Sequence, residues 1–510
     1  MFKYRYFSVL SIFSLLSLFS FSFAEKIFTN TSNLQKNIIY SDDFQTWEDA
    51  IKNSSGNEHV KVFFQRPIAF GYQQSLIATN YMLQSNDNRN EFDNIVWFID
   101  KSWFNYDYDY HINKYGNNET SSKKYNFSVF TKASDIPNYS NYGFYSETED
   151  EKYSIFPTEK ILGTFLEFYL SKKQDIQFDL WLPEISLEAM WKNGKKSSES
   201  SNFYKLLQHT NKINLLSDGN WQTHTLVTKF ISRLNKKNYY QMNQEELKNK
   251  FNLFKEDSDF SKFNEFKKYD LYDFLHYKDL ITVFHTKSYT YSPYYISKIP
   301  NGMEMYSTYS LNYNYFWFAN KFFKDKEKKD NFILDFESFF KIQNLNNLEK
   351  LVIKNFEKYD SNKKNLVWLG DSLTRDDKYK YPEKQYEIRR IVRSYLTKFP
   401  LNEYNWFVKY HPFYGFNKDN ITDYIFGDMV DPIFLNANFP WEIFLSWDYK
   451  QQQTDKNYSS FFNKKSNDGN RAKTRLVGLQ YTTTTIQTTA FFLQENYGMN
   501  FDQINLSVGI

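Results

Sequence analysis

Short apolar runs, each about one strand long, alternate along this chain with stretches whose apolar residues recur every three or four positions. The alternation comes in two successive series. A sequence that keeps switching between the period of a buried strand and that of an amphipathic helix is confined to the α/β class. In the first series, 60–64, 94–99, 176–182 and 212–216 read as strands. Helical spacing appears over 72–83, at Ile161, Leu162, Phe165, Leu166 and Tyr169, and at Leu226, Val227, Phe230, Ile231 and Leu234. The run 281–284 opens the second series. It continues with a helical pattern over 348–356, a strand at 366–369, and a helix through Ile388, Ile391, Val392 and Tyr395. Two further strands begin at Asn405 and Arg475. The expectation is two doubly wound, Rossmann-like domains facing a cleft. The first spans 25–234, with an irregular insertion over about 101–155. The second spans 235–489, beginning with a charged helical or linker stretch, and 490–510 returns towards the first.

The 510 residues are 41% hydrophobic and 24% charged, the balance of a folded protein. Phe and Tyr number 52 and 42, but they are spread over the whole chain beside abundant Asn, Lys and Ile. That spread fits the codon bias of an AT-rich genome better than an aromatic binding surface. A net charge of +3, evenly distributed, gives no footprint for nucleic acid. There is no cysteine, which excludes disulfides, thiolate metal sites and thiol catalysis. Lys3 and Arg5, an apolar run from Val9 to Phe23, and Ser22-Phe23-Ala24 have the layout of a signal peptide over 1–24. A secreted or cell-surface protein is expected, with membrane attachment only if that segment stays uncleaved. Lipid attachment at a cysteine is ruled out.

Two strand ends carry chemistry. The strand from Asn405 finishes in Lys409-Tyr410-His411-Pro412. An imidazole titrates near neutrality and can protonate a departing oxygen, while Lys409 offsets negative charge. Pro412 stops the strand, since it has no N–H for the ladder. The strand from Arg475 runs into Thr482-Thr483-Thr484-Thr485 ahead of an apolar stretch. Hydroxyls at a strand-to-helix turn, with the free N–H groups of a helix start, suit a phosphate. Glu442 opens an apolar helix after Phe439-Pro440-Trp441, where it can accept hydrogen bonds from ribose hydroxyls, although the helix dipole alone also favours an acid there. Asp218 lies in a Ser217-Asp218-Gly219 turn after a buried strand. Turn chemistry by itself explains that triplet. The remaining histidines show no metal-ligand spacing, and neither a Gly-rich phosphate loop nor a serine-hydrolase elbow is present.

In their order and intervals these segments resemble the bacterial sialyltransferases of glycosyltransferase family 80, which have the GT-B architecture. The resemblance runs over roughly 170–490. It rests on Leu216-Ser217-Asp218-Gly219, Leu369-Gly370-Asp371-Ser372-Leu373-Thr374, Val408-Lys409-Tyr410-His411-Pro412, Pro440-Trp441-Glu442-Ile443-Phe444 and Leu476 to Thr483. It implies transfer of a sugar from CMP-sialic acid to a glycan hydroxyl, with inversion and without a metal or other cofactor. His411 and Asp218 would be catalytic. Lys409, Pro412, Glu442, Thr482 and Thr483 would hold the nucleotide, with Glu442 on the ribose and the threonines on the phosphate. The family's general base is the first acid of an Asp-Asp-Gly turn, and here that position is Ser217. Asp218 is then the acid left for the role. The alternative is a non-catalytic secreted protein that keeps the fold and binds glycans or host proteins.

Overall fold

The computed structural model describes residues 39–41, 51, most of 59–216, 244–257, part of 269–285, 304–307, 314–369, 382–410, 418–462, 473–478, and short stretches between 489 and 508, with small gaps inside several of these. The proposed signal segment and 226–234 lie outside the described residues.

The chain opens with β1 (Ile39–Ser41), β2 (His59–Phe64), α1 (Ala69–Ser85), β3 (Asn94–Phe98), α2 (Tyr108–Tyr115), β4 (Asn126–Phe130) and α3 (Glu159–Lys172). It continues with β5 (Gln177–Pro183), α4 (Glu184–Lys196), α5 (Asn202–Gln208), β6 (Thr210–Leu216), α6 (Gln244–Lys255), β7 (Ile281–His285) and β8 (Glu304–Ser307). These strands form one sheet in the order β1-β8-β7-β6-β5-β2-β3-β4, parallel throughout. The order reverses between β2 and β5, as in a Rossmann-like α/β fold.

A parallel sheet is buried on both faces, and successive side chains of a strand point to opposite faces. Val60, Val62, Phe64, Leu180 and Ile213 accordingly pack into one core with α3, α4, α5 and α6. Phe63, Trp97, Trp181 and Phe284 pack into the other. There Phe63 stacks on Trp181, with ring centroids 5.5 Å apart. The helices begin where the sequence supplies caps. Thr158 accepts from the Ile161 N–H at the start of α3, and Ser201 from the Phe203 N–H at the start of α5.

Next come α7 (Tyr315–Phe322) and α8 (Lys326–Phe339), capped by Asn314 and Asp325. Phe318, Phe332, Phe336 and Phe339 of these helices belong to the second core of the first sheet, beside α1 and α2. The second sheet follows: β9 (Val352–Lys354), β10 (Lys364–Leu369), α9 (Pro382–Lys398), β11 (Tyr404–Lys409), α10 (Lys418–Phe426), β12 (Ile433–Leu435), α11 (Trp441–Thr454), β13 (Thr474–Gly478) and β14 (Leu506–Val508). Its order is β14-β13-β10-β11-β12-β9, parallel except for the antiparallel edge strand β9. Helices cover both faces, α11 on one and α9 with α10 on the other. At the amino end, the amide of Asn405 donates to the Asn365 side chain at 3.0 Å, and Asn365 donates to Thr474 at 3.2 Å. This ladder of side chains fixes the register of β11, β10 and β13.

The α/β character and both sheets match the expectation, but four details differ. The run 281–284, read as opening the second series, is β7 of the first sheet, paired with β6. The stretch 101–155, read as an irregular insertion, contributes α2 and the edge strand β4. The 348–356 stretch is not a helix but short 3-10 turns flanking β9. Its apolar spacing imitates a helix, yet Asn355 adopts the left-handed region at φ 65°, which no right-handed helix can pass through. The last residues add β14 to the second sheet, while Asn496 on the way there accepts a 2.7 Å hydrogen bond from Asn314 at the start of α7.

The two sheets are joined by α7, α8 and α11. Lys450 of α11 pairs with Glu337 of α8, which also accepts from the Tyr315 hydroxyl. Trp447 donates its indole N–H to the Leu345 carbonyl at 3.1 Å. Ile443 of α11 completes the second core of the first sheet.

Candidate functional site

In the second sheet the order reverses between β10 and β13, since the chain passes from β10 to β11 and β12 on one side and adds β13 on the other. Ligands of open α/β sheets bind beyond the strands' carboxyl ends at such a reversal. The two chemically loaded segments leave from this edge. Trp368 of β10 is in register with Val408 of β11 and with Val477 of β13. Lys409, Leu369 and Gly478 therefore end their strands at about the same level. With neighbouring strands about 4.8 Å apart, β11 and β13 lie about 10 Å from each other. His411 and Pro412 follow the first tip within a few residues; Thr482 and Thr483 follow the second. Those four residues, Asp218, and the segment 370–374 lie outside the described residues.

Lys409 and Glu442 are described. Lys409 follows Phe407 by two positions and so faces the side of the sheet that α11 covers. Its ammonium donates to the Ala437 carbonyl at 2.9 Å and, more weakly, to the Tyr410 carbonyl at 3.4 Å. The cation thus fastens the turn that leads into α11. Tyr410, pointing the other way, shares a 2.8 Å hydrogen bond with Thr422 of α10. The side chains of Lys409 and Tyr410 are thereby tied to opposite sides of the sheet, one to the turn before α11 and the other to α10.

Glu442 occupies the first turn of α11 and is only 8% exposed. Pro440 precedes the helix and offers no side-chain cap, so the acid is the polar group of that turn. Burial pushes the carboxyl above the usual carboxylate range. Its own backbone N–H and the charge of Lys409 act in the opposite direction without cancelling that effect. An acid held this way sits closer to neutrality than a surface glutamate. It can accept hydrogen bonds from hydroxyls, or donate one when protonated.

The residue after Glu442, Ile443, belongs to the core of the first sheet, which no local pattern in the sequence announces. Tyr106, between β3 and α2, lies in the same core as Ile443, with its ring edge-on to Phe340 at 4.9 Å and 5.3 Å from Phe339. Its hydroxyl is pushed well up by burial first, then by Tyr108 and by the negative charge of Glu442. Tyr72, Tyr106 and Tyr108 pack ring against ring there. Other buried acids are fully engaged in structure. Asp335 of α8 accepts from Lys114, Tyr110 and Tyr115 of α2 and from Gln84 of α1. Asp448 of α11 accepts from Tyr458 and from the Phe461 N–H. Among the described residues no group of histidines and acids has the arrangement of a metal centre, and no helix is long and apolar enough to cross a membrane. No model of a known protein family matches the chain, and no curated protein matches it.

Proposed function

We propose that this protein is an exported glycosyltransferase of GT-B architecture, sialyltransferase-like, which moves a sugar from a CMP-activated donor such as CMP-sialic acid to a glycan hydroxyl. The observation that carries the reading is the placement of β11 and β13 on either side of β10, in parallel and in register. The strand ends Lys409 and Gly478 then lie at one edge of one sheet about two strand spacings apart, and the chain continues from them to His411 and to Thr482, which is the span a phosphate with its hydrogen-bonding groups would need. The buried carboxyl of Glu442 at the adjoining helix start supports the ribose contact.

In the step we envisage, the acceptor oxygen attacks the anomeric carbon from the face opposite CMP, and the carbon–oxygen bond to the phosphate breaks with its electron pair going to the phosphate. The acceptor's proton passes to Asp218. His411, Thr482 and Thr483 meet the charge that develops on the leaving phosphate, where fixed donors lower the barrier most. The step is inverting and assigns no role to a metal. Lys409, fastened to the Ala437 carbonyl, contributes charge at a distance and holds the turn that presents Glu442.

The test is turnover of CMP-sialic acid, by hydrolysis or transfer, in the wild type and in His411→Ala and Asp218→Asn. Turnover that falls at least a hundredfold in each variant supports transfer. CMP binding without any turnover would instead favour a non-catalytic binder, consistent with Ser217 standing where the family has its base.

A further inference from the structure

We infer that the first sheet carries a ligand site of its own at the start of α1, for a small oxyanion such as a phosphate or carboxylate group. That sheet reverses its order between β2 and β5, and α1 starts at Ala69, just beyond the carboxyl end of β2. Ligands of open α/β sheets bind at such a reversal, and the first turn of a helix offers N–H groups that no helical carbonyl accepts. Three side-chain positions point to an occupant. Gly71, in the first turn of α1, is buried, yet a methyl group added to it meets nothing within 4 Å beyond its own turn of helix. Ser75 stands one turn further along the same face. Helical side chains lean towards the N-terminus, so its hydroxyl is directed over Gly71. Ser75 is fully buried and its Oγ has no hydrogen-bond partner. A helical hydroxyl commonly turns back to the carbonyl four residues earlier, as Thr164 does to Lys160 at 3.0 Å; Ser75 does not. Gln65 continues β2, its N–H donating to the Phe98 carbonyl at 2.9 Å. By the alternation of the strand its side chain leaves on the face of Phe63, which α1 covers. Phe63 and Tyr72 of α1 both lie against Trp97, with ring centroids 6.0 and 6.3 Å away. Gln65 is 2% exposed, and its Nε2 has no partner either. Native structures rarely leave buried polar groups unpaired, because the desolvation is then uncompensated. An amide N–H, a hydroxyl and the N–H groups of a helix start can all donate, and their common complement is a group with several acceptor oxygens. Glu184, the acid that follows β5, opens α4, whose apolar residues pack on the opposite face.

This site is independent of the proposed nucleotide site, and the experiment keeps the two apart. Binding of inorganic phosphate and of acetate to the full chain is measured by calorimetry and by the shift in melting temperature, at constant ionic strength. Both are repeated in the triple variant His411→Ala, Thr482→Ala and Thr483→Ala, which removes any phosphate held at the nucleotide site. Gly71→Ala fills the space without straining the helix, since alanine is the better helix former. It should melt at or above the wild-type temperature and bind the anion roughly tenfold or more weakly, in both backgrounds. Ser75→Ala removes one donor and should weaken binding roughly fivefold. Whichever anion binds assigns the group as phosphate or carboxylate. A wild type that binds neither anion overturns the inference, and a buried water then accounts for the unpaired groups. Anion binding that vanishes in the triple variant and is untouched by Gly71→Ala and Ser75→Ala also overturns it, while supporting the proposed phosphate site.

Discussion

His111, on α2, is 1% exposed, with its Nε2 3.0 Å from the Asn80 side-chain oxygen and no partner for Nδ1. Aromatic rings surround it, Phe127, Tyr115 and Phe339 among them. A second proton would have to go on Nδ1, where nothing accepts it. Burial therefore lowers its pKa from 6.5 to about 4, Lys114 adding to the effect and Asp335 and Asp107 opposing it. Between those two pH values the unfolded chain binds more protons than the folded one, so stability is full above about pH 6.5 and is lost as the pH falls towards 4. The amount at stake is on the order of 3 kcal/mol. Urea unfolding at pH 7 and pH 4.5 checks this. His111→Gln is less stable than wild type at pH 7 but loses less on acidification, whereas equal losses in both proteins would show that the proton is taken up elsewhere.

At the scale of elements, α11 carries most weight, because it closes the second sheet's core and also reaches into the first unit's. Lys450 and Glu337 are 20% and 8% exposed, so their pairing is less screened than one on the surface. A double-mutant cycle with Lys450→Met and Glu337→Gln should give a coupling of about 1–2 kcal/mol in unfolding free energy. Additive losses would mean that the pair does not join the two units. The core strands of both sheets were legible as apolar runs, and α1, α3 and α9 as periodic stretches, because burial dictates both patterns. What escaped had physical reasons. An apolar run such as Ile281–His285 looks the same whichever sheet it joins. The Tyr- and Asn-rich stretch holding α2 and β4 buries its helix through tyrosines and hydrogen bonds to Asp335, which leave no hydrophobic period. The helix start at Glu442 could be read from Phe439-Pro440-Trp441. That the next residue, Ile443, enters the first sheet's core could not, since nothing local to it records a contact between units.

For the whole molecule, the proposed function requires one phosphate between the segment after β11 and the threonines after β13, with Glu442 of α11 on the ribose and Asp218, which follows β6 in sequence, at the acceptor. The sheet order makes this arrangement possible. Side chains reaching a phosphate and a side chain reaching a ribose should leave different marks on binding. The most direct measurement is calorimetric affinity for CMP and for cytidine, in wild type, His411→Ala, the double variant Thr482→Ala with Thr483→Ala, and Glu442→Gln. The first two changes should each erase most of the advantage of CMP over cytidine, roughly tenfold or more, and making both together should cost less than the sum. Glu442→Gln should weaken both ligands alike. If CMP and cytidine bind equally to the wild type, or if the imidazole and threonine changes leave CMP affinity untouched, the two strand ends do not share a phosphate and the central claim is contradicted.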